Sequence, residues 1–385
     1  MPAVREAEAA AVPAESRSQT SWALGTALWP WVVSRGLVLG ALALAHELAN
    51  GADLSKAQAA RVHEGLLGWD AGWYESIARH GYAGAGHASL RFFPLVPALV
   101  RTLSVLPGVG VGTALVVLAN VSALGATALA AALARRETGD SSLARRVAWL
   151  VCLAPPAFVM VMGYAEGTLL LLSLGVFWAL RARRWWWAAA LGVAAGTCRP
   201  IGLLLVVPAV VEGLREWRGA SGRTRAGIAS AVVGPAFGCG AFLGWVGWRY
   251  GDALAPLRIQ EEGVHRGALA DPFTTLGHDA SLLIHGHHLG SALHLPWVLL
   301  ALCLLVVSLR KWPASYGAFA AVLLAVALTT RNLDGFERYA LSGFPLVFAG
   351  ASVTAGEKVE RAVLVVAGAG LVGYALLAFT NLYVP

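Results

Sequence analysis

The sequence predicts an all-α polytopic membrane protein, and both its composition and its apolar blocks indicate this class. Of its 385 residues, 57% are hydrophobic and only 13% are charged. A soluble globular domain carries about 25% charged residues, so this chain has too few charges for a surface that faces water on all sides. The formal net charge of +7 reflects Lys and Arg in short loops, which is typical of membrane topology. We therefore expect contact with membrane lipids and no nucleic-acid partner.

Eleven apolar blocks follow one another along the chain. They lie at about 22–46, 110–134, 147–163, 167–182, 185–197, 201–214, 227–249, 293–310, 314–330, 339–354 and 361–381. Several are shorter than the roughly 20 residues that a helix needs to cross a bilayer. The sequence CRP (198–200) separates two of them and predicts two short helices that meet at a turn, because proline cannot continue a helix. Short, broken helices occur where they line a cavity inside a membrane protein.

Basic residues between the blocks predict the orientation. They fall in five short loops, which contain Arg135, Arg136, Arg145 and Arg146; Arg181, Arg183 and Arg184; Arg215, Arg218, Arg223 and Arg225; Arg310 and Lys311; Lys358 and Arg361. All five loops lie on one side if the N-terminus is cytoplasmic and the chain crosses eleven times, as the positive-inside rule requires.

This orientation defines the predicted domains. Residues 1–21 are expected to form a disordered cytoplasmic tail, and residues 22–385 a single transmembrane domain. The opposite side has two long polar loops, at about 47–108 and 250–292. We therefore expect a multi-pass protein of the cell membrane whose active site is extracytoplasmic.

The apolar segment RFFPLVPALVRTLSVL (91–106) is not predicted to be a span, because one more crossing would invert every later basic loop. We expect 92–106 to lie as a helix in the outer interface, with Arg91 and Arg101 at its polar edge.

The stretch WDAGWYESIARHGY (69–82) combines charged and aromatic residues next to the first span. Trp73 and Tyr74 favour the headgroup level of the membrane, where they could contact a substrate. Asp70 could act as a general base on a hydroxyl or bind a divalent cation. It could equally cap the helix predicted over 70–80, and the residues alone leave these interpretations open.

Three arginines and one acid are further candidates. Arg199 lies between two short apolar helices, where an arginine is costly and marks a functional site by default. Arg338 opens a span on the outer side, where the positive-inside rule does not place it. Arg91 can pair with a carboxylate or a phosphate, or extend to the membrane surface. Glu166 lies in an outer turn, where it could bind substrate or cap the next helix.

The second outer loop contains two more candidates for substrate contact. Residues 248–267 are predicted to form a third interfacial helix that carries Gln260 and His265. The histidines of HGHH (285–288) could bind a metal, but their spacing matches no strong zinc pattern and a polar loop is the favoured interpretation. Metal ligands therefore remain unknown at this level. The chain contains no P-loop, dinucleotide-binding fingerprint or G-x-S-x-G elbow.

Several of these segments, in this order, resemble the PIG-V-type mannosyltransferases, which include the second mannosyltransferase of GPI synthesis and bacterial relatives. The segments are WDAGWYESIARHGY, RFFPLVPALVR, APPAFVMVMGYAEGTLLLL, WWWAAALGVAAGTCRPIGLLLVVPAVVE, WRYGDALAPLRIQ and ERYALSGFPLVFAG. They extend from about Trp69 to Phe348, which is most of the chain. The ordered set is more specific than any single segment, and we take the chain for a bacterial relative.

The resemblance implies a GT-C glycosyltransferase fold with about 11 transmembrane helices and interfacial helices in the first outer loop. It implies an inverting enzyme that moves mannose from a polyprenyl-phosphate donor to an extracytoplasmic glycan, glycolipid or glycoprotein. Asp70 matches the family's catalytic candidate. Arginines near the surface, here Arg199, Arg338 and Arg91, would bind the donor phosphate. Some enzymes of this fold require a divalent cation, so Mg²⁺ or Mn²⁺ stays open, and no cofactor is certain.

Two other functions remain open. One keeps the fold and changes the sugar, for example to a pentose on the same lipid carrier. The other is a transporter or flippase of lipid-linked intermediates, which would carry ionisable residues near the middle of several spans. Most charges of this chain lie in loops and the outer side is elaborated, which favours the enzyme.

Overall fold

The computed structural model describes residues 3–51, 55–262, 267–284 and 294–385. Side chains are described for all of these residues except 3–18, 279 and 282–284. Its α-helices, in chain order, are α1 (Ala3–Gly51), α2 (Lys56–Glu64), α3 (Asp70–Ala85), α4 (Leu95–Leu103), α5 (Val111–Thr138), α6 (Ser141–Leu153), α7 (Glu166–Arg181), α8 (Trp185–Cys198), α9 (Val206–Glu216), α10 (Gly222–Tyr250), α11 (Ala255–Glu261), α12 (Pro272–Ile284), α13 (His294–Lys311), α14 (Ala314–Leu328), α15 (Phe336–Ser342), α16 (Phe344–Val353) and α17 (Glu357–Phe379).

Within these ranges, five helices are long and apolar enough to cross a membrane. They are Gln19–Gly51 of α1, and α5, α10, α13 and α17. The other apolar blocks form shorter helices or pairs of short helices. The all-α polytopic membrane class is therefore confirmed. The count of eleven crossings, the orientation and the division into a tail and one domain stay predictions, and α1 already begins at Ala3.

Proline interrupts two of the short blocks. Ala154 and Arg199 have extended backbones with ψ near 134° and 153°, and each immediately precedes a proline. Proline excludes the helical conformation for the residue before it. Each break leads into a 3₁₀ helix, Pro155–Met160 or Pro200–Leu205. Non-helical backbone thus occurs where the sequence predicted the CRP turn.

Close packing of α8 on α10 fixes the position of this turn. A Cβ atom on Gly196 would lie only 2.2 Å from the carbonyl oxygen of Pro235, so the two backbones touch where a larger residue could not fit. Small residues allow such close approach between membrane helices. Because Arg199 follows α8 directly, this contact holds Arg199 in place.

The helix predicted over 70–80 forms as the part of α3 before Gly81, whose backbone is non-helical, whereas the second helix of this loop is shorter than the sequence indicated. α4 spans only Leu95–Leu103, not 92–106, because Phe92 is extended and Pro94 occupies the N-cap position. α4 still turns an apolar face inward, where Val96 and Val100 are buried. It packs on α3 and α5, so the first long loop forms an ordered layer over one end of the bundle.

Basic loops meet at the other end of the bundle, hereafter the basic end. Arg136 Nη2 donates a hydrogen bond to the carbonyl oxygen of Arg181 at 2.8 Å. Arg181 in turn donates to both carboxylate oxygens of Glu137, at 2.8 and 2.9 Å. Arg183 pairs with Glu216 at 2.7 Å. These contacts join three of the loops whose basic residues were predicted to share one side.

Candidate active site

Asp70 pairs with an arginine from the far end of the sequence. Its Oδ2 accepts a hydrogen bond of 2.6 Å from Nη1 of Arg338, which lies 268 positions later on α15. Its backbone N–H donates to the hydroxyl of Tyr164 at 3.3 Å. Asp70 is the first residue of α3, and Trp69 takes the N-cap position. The interpretation of Asp70 as the helix cap is therefore wrong, because its carboxylate binds Arg338.

Glu166, in the first turn of α7, joins this pair to Arg199. Its Oε1 accepts a hydrogen bond from Nη1 of Arg199 and lies 3.3 Å from Nε of Arg338. The Glu166 side chain is only 3% exposed. Its second oxygen, Oε2, is buried and has no hydrogen-bond partner among the described residues. A buried acceptor without a donor is costly, so this oxygen is destabilising as it stands.

The electrostatics of the cluster keep Asp70 ionised. Burial by itself would raise the pKa of the Asp70 carboxyl. The charge and hydrogen bond of Arg338 outweigh burial and lower this pKa below its ordinary value of 3.8, and the charges of Arg199 and Arg91 act in the same direction. Three guanidinium groups thus face the carboxylates of Asp70 and Glu166. The cluster keeps one net positive charge, which favours a bound anion.

A cavity of about 740 Å³ opens next to the cluster. Asp70, Trp73 and Arg91 line it, together with residues of α2, the turn before α3 and α3 itself, among them Glu64 and Glu75. The Asp70 side chain is 24% exposed, whereas that of Arg338 is 11% exposed. The carboxylate of Asp70 therefore forms the boundary between the cavity and the buried arginines. A molecule in the cavity could reach Asp70 and Arg91 directly.

Aromatic side chains hold this wall of the cavity. The ring of Trp73 stacks on Phe92 with centroids 5.8 Å apart, and Tyr74 meets the same ring edge-on at 5.1 Å. The guanidinium of Arg91 lies 4.8 Å from the Phe92 centroid. Burial raises the pKa of Tyr74 well above its ordinary value of 10.0, so its hydroxyl is neutral at physiological pH. The ring of Tyr74 therefore packs α3 against Phe92, and its neutral hydroxyl remains able to form hydrogen bonds.

The motif GYAEG (163–167) contributes a residue that the sequence reasoning missed. Tyr164 is 1% exposed and contacts Asp70 through its hydroxyl, and the guanidinium of Arg338 lies 5.5 Å from its ring. Gly163 brings this loop against α3, because a Cβ there would lie 3.2 Å from the Cβ of Ala71. The signal in the sequence was Gly163, the small residue just before Tyr164, because a glycine can mark a close approach of two backbones.

Two predicted residues are not part of this cluster as described. Gln260 lies half-buried on α11, which packs against the 3₁₀ helix His87–Arg91 and so lies behind the segment that carries Arg91. α11 is seven residues long, much shorter than the helix predicted over 248–267. His265 and the HGHH segment (285–288) lie outside the described residues.

A metal site was left open by the sequence. In the described part of the chain, no group of three or more His, Cys, Asp or Glu side chains could hold a metal ion. Asp70 and Glu166 could each offer an oxygen to a cation, but both contact Arg338. Metal dependence therefore stays a prediction.

Residues 34–212 match the family model described as Mannosyltransferase (PIG-V). Over this range the chain is PIG-V-like. The match includes Asp70, Arg91, Glu166 and Arg199, and it ends before Arg338. It confirms the resemblance and supports the predicted enzyme class, a glycosyltransferase of the mannosyltransferase type. No curated protein matches the chain.

Proposed function

We propose that this PIG-V-like protein is an inverting GT-C enzyme that transfers mannose from a polyprenyl-phosphate donor to a hydroxyl of an extracytoplasmic, lipid-linked or glycan acceptor. The observation that carries the proposal is the Asp70 carboxylate, which lines the cavity together with Arg91 and binds the buried Arg338 on its other side. A displacement with inversion at a sugar phosphate needs a base on one face of the anomeric carbon and an anion site on the other, and Asp70 and Arg91 both line the cavity that would hold the sugar.

The reaction is a single displacement. The acceptor oxygen bonds to the anomeric carbon, the bond from that carbon to the phosphate oxygen breaks, and its electron pair leaves with the lipid phosphate. The acceptor hydroxyl loses its proton to Asp70. The low pKa of Asp70 suits this role, because the proton becomes acidic only as the new bond forms and a weak base then suffices. Attack from the face opposite the phosphate inverts the configuration.

The three arginines have different roles in this reaction. Arg91 lines the cavity and can bind a phosphate oxygen directly. Arg338 and Arg199 are almost buried, at 11% and 12% exposure of their side chains, and act from behind Asp70. Their positive charge keeps the carboxylate of Asp70 ionised and in place, whereas the phosphate departs from the opposite face of the sugar. Arg91 therefore has the closest role to the donor, although the sequence suggested Arg199 first.

Glu166 is a candidate contact for a sugar hydroxyl, although it is not among the residues that line the cavity. Its Oε2 atom is buried and has no partner among the described residues, although its Oε1 atom is shared by Arg199 and Arg338. A sugar hydroxyl is a neutral donor that could satisfy Oε2 without adding charge. A site that hydrogen-bonds a hydroxyl rejects analogues that lack it, so Glu166 is a candidate for sugar selectivity.

The test supplies membranes that contain the protein with labelled polyprenyl-phosphate mannose and follows the label. We expect transfer to an extracytoplasmic acceptor and loss of transfer in Asp70→Asn. The matched control is Asp252→Asn, which removes the same charge from an aspartate that pairs with Arg258 in a different loop. Equal activity of Asp70→Asn and wild type would remove Asp70 from the mechanism. Transfer from a pentose donor, but not from a mannose donor, would change the sugar in this proposal and leave the proposed reaction unchanged.

A further inference from the structure

A second cavity lies at the basic end, far from Asp70. Its volume is about 890 Å³, and helices α1, α5 and α7 form its walls. Three arginines line it, Arg135, Arg136 and Arg184, and its lining includes no aspartate or glutamate within the described residues. Neighbouring arginines such as Arg181 and Arg183 pair with carboxylates, but among the described residues these three form no ion pair.

Below the arginines the cavity is apolar and elongated. Gly125, Ala128, Leu129 and Ala132 lie on the same face of α5 as Arg135 and line it. Ten residues of helix rise about 15 Å, so this face extends well into the membrane from the charged mouth. An apolar face of this length suits a hydrocarbon chain and offers nothing to a small anion.

Tryptophans mark the depth of the mouth. The guanidinium of Arg135 lies 4.3 Å from the ring centroid of Trp22, and that of Arg136 lies 4.9 Å from that of Trp178. Tryptophan concentrates at the boundary between headgroups and hydrocarbon, so the arginines lie at the level of lipid phosphates. Basic pockets between helices at this level bind anionic headgroups.

We propose that this cavity binds an anionic phospholipid, with its phosphate on Arg135, Arg136 and Arg184 and one acyl chain along α5. The site is separate from the glycosyl-transfer site and does not depend on the proposed function. Its occupant would join α1 to α5 and α7 and stabilise the bundle by binding the folded state only.

The test measures thermal unfolding of the purified protein in nanodiscs with increasing phosphatidylglycerol in phosphatidylcholine. We expect the midpoint to rise with phosphatidylglycerol, and each of Arg135→Gln and Arg184→Gln to weaken the apparent lipid affinity about fivefold. The matched control is Arg183→Gln, because Arg183 is the neighbour of Arg184 and pairs with Glu216. Equal responses of all three variants and wild type would overturn the site. If free glycerol phosphate raised the unfolding midpoint equally, the site would bind a simple anion and not a phospholipid.

A different set of contacts joins the end of α17 to both halves of the Asp70–Arg338 pair. The indole N–H of Trp69, the residue before Asp70, donates to the carbonyl oxygen of Ala378 at 3.0 Å. The hydroxyl of Tyr383 donates to Oε2 of Glu337, the residue before Arg338, at 2.8 Å. The segment 378–383 therefore contacts the immediate neighbour of each catalytic-site partner.

The local backbone explains how Tyr383 reaches Glu337. Asn381 has φ of 59°, in the left-handed region, and the amide of Leu382 returns to the carbonyl oxygen of Leu377 at 2.8 Å. Asparagine tolerates this conformation, which ends a helix and reverses the chain. His294 of α13 completes the contact, because its Nδ1 lies 2.7 Å from Oε1 of Glu337, which is fully buried.

We infer that Tyr383, Glu337 and Trp69 are positioning residues, which hold α15 and the start of α3 so that Arg338 meets Asp70. This inference rests on the proposed function. Loss of the Tyr383 hydroxyl should let α15 shift and lower kcat, while the donor KM stays unchanged because Arg91 is not displaced.

Two readouts test this set. Tyr383→Phe should lower kcat about fivefold, as loss of one hydrogen bond implies, and speed hydrogen exchange of the backbone amides of 336–342. The matched control is Tyr374→Phe, which loses its hydrogen bond with Trp297 and should change neither. Asn381→Gly should keep wild-type values, whereas Asn381→Val should behave like Tyr383→Phe. Unchanged exchange in Tyr383→Phe would overturn the inference. If Tyr383→Phe altered the hydrogen exchange but the wild-type protein transferred no mannose, only the proposed function would be overturned.

Discussion

Helix α7 carries one arginine–carboxylate cluster at each end, and the two differ in a way that separates stability from chemistry. Glu166 lies in its first turn and Arg181 in its last turn, about 22 Å apart by the rise of a helix. At the basic end, Arg181 contacts Glu137 and Glu212. At the other end, Glu166 contacts Arg199 and Arg338. Both clusters link several helices, so linkage alone does not mark an active site.

The cluster at the basic end is complete in itself. Glu137 accepts two hydrogen bonds from Arg181 and one of 3.3 Å from the hydroxyl of Tyr316. Glu212 accepts one of 2.6 Å from Ser315. The two carboxylates are matched by two arginines, Arg181 and Arg215, and have neutral donors of their own. The Asp70 cluster instead has more arginines than acids, a carboxylate oxygen without a described partner and a cavity next to it. A surplus of arginines beside a cavity indicates a site for an anionic ligand.

The largest expected effect is at Asp70. We expect Asp70→Asn to lower kcat by about 10³-fold, within the range for a general base, with a small change in the free energy of unfolding. Steady-state transfer assays on purified protein measure the first quantity and thermal unfolding measures the second. If Asp70→Asn had a normal kcat and a lower stability, the Asp70 cluster would be structural like the cluster at the basic end.

Removal of Arg338 should act through the charge of Asp70. We expect Arg338→Gln to lower kcat by about 10²-fold, because the hydrogen bond and the charge that hold the Asp70 carboxylate in place are lost. It should also raise the pKa of Asp70, since burial remains and the main opposing charge is gone. The wild-type rate should therefore stay level as pH falls towards 3.8, and the acid limb of the variant should lie at higher pH. A pH–rate profile measures this shift, and an unmoved acid limb would argue against Asp70 as the base.

The lowered pKa of Asp70 also predicts how the free energy of unfolding changes with pH. The pKa of Asp70 is lower in the folded protein, so its ionised form stabilises the fold fully above 3.8. That contribution is lost as pH falls through the folded-state pKa. In Asp70→Asn, the free energy of unfolding should therefore depend less on pH in this acid window.

The basic end should show the reverse pattern. We expect Glu137→Gln to lower the free energy of unfolding by about 1–3 kcal/mol, because it leaves Arg181 with one carboxylate fewer near buried groups. The value of kcat per folded molecule should stay unchanged. Chemical denaturation in detergent and active-site-normalised kinetics measure the two effects. A large loss of kcat here would mean that α7 transmits changes from one end to the other.

The smallest effect is expected at Arg91. Arg91→Lys keeps the charge but loses the planar guanidinium that can bind a phosphate at two atoms and that lies over Phe92. We expect the donor KM to rise about fivefold and kcat to stay near wild type. Substrate-dependence curves for the donor and for the acceptor distinguish this from a general defect, which would raise both KM values.

Much of the fold was predictable, because apolar blocks and prolines act locally. Each apolar block became a helix or a broken pair, and Arg199 lies at the proline turn that the sequence indicated. The segment 91–106 was rightly kept out of the spans, but its helix starts at Leu95 because Pro94 acts on the residues before it. Local rules thus gave the existence of elements better than their ends.

The site was predictable as a set of residues but not as a set of contacts. Asp70, Glu166, Arg199 and Arg338 were all candidates, yet nothing local to any of them indicates that Arg338 bonds Asp70 across 268 positions. Tyr164 was missed for the same reason, since a buried tyrosine in an apolar block reads as core. Interactions between distant segments depend on the tertiary packing of α3, α7 and α15, which a single sequence does not encode in any local pattern.

The surplus of one positive charge at the Asp70 cluster has a consequence for the choice of carrier. A sugar linked through one phosphate is a diester with a single negative charge, whereas a sugar linked through a diphosphate brings two. The first balances the five charged groups of the cluster, whereas the second brings a further negative charge into a cavity that Glu64 and Glu75 also line, which is unfavourable. The site therefore should discriminate between the two classes of lipid-linked sugar by charge balance alone, before any atom of the sugar is recognised.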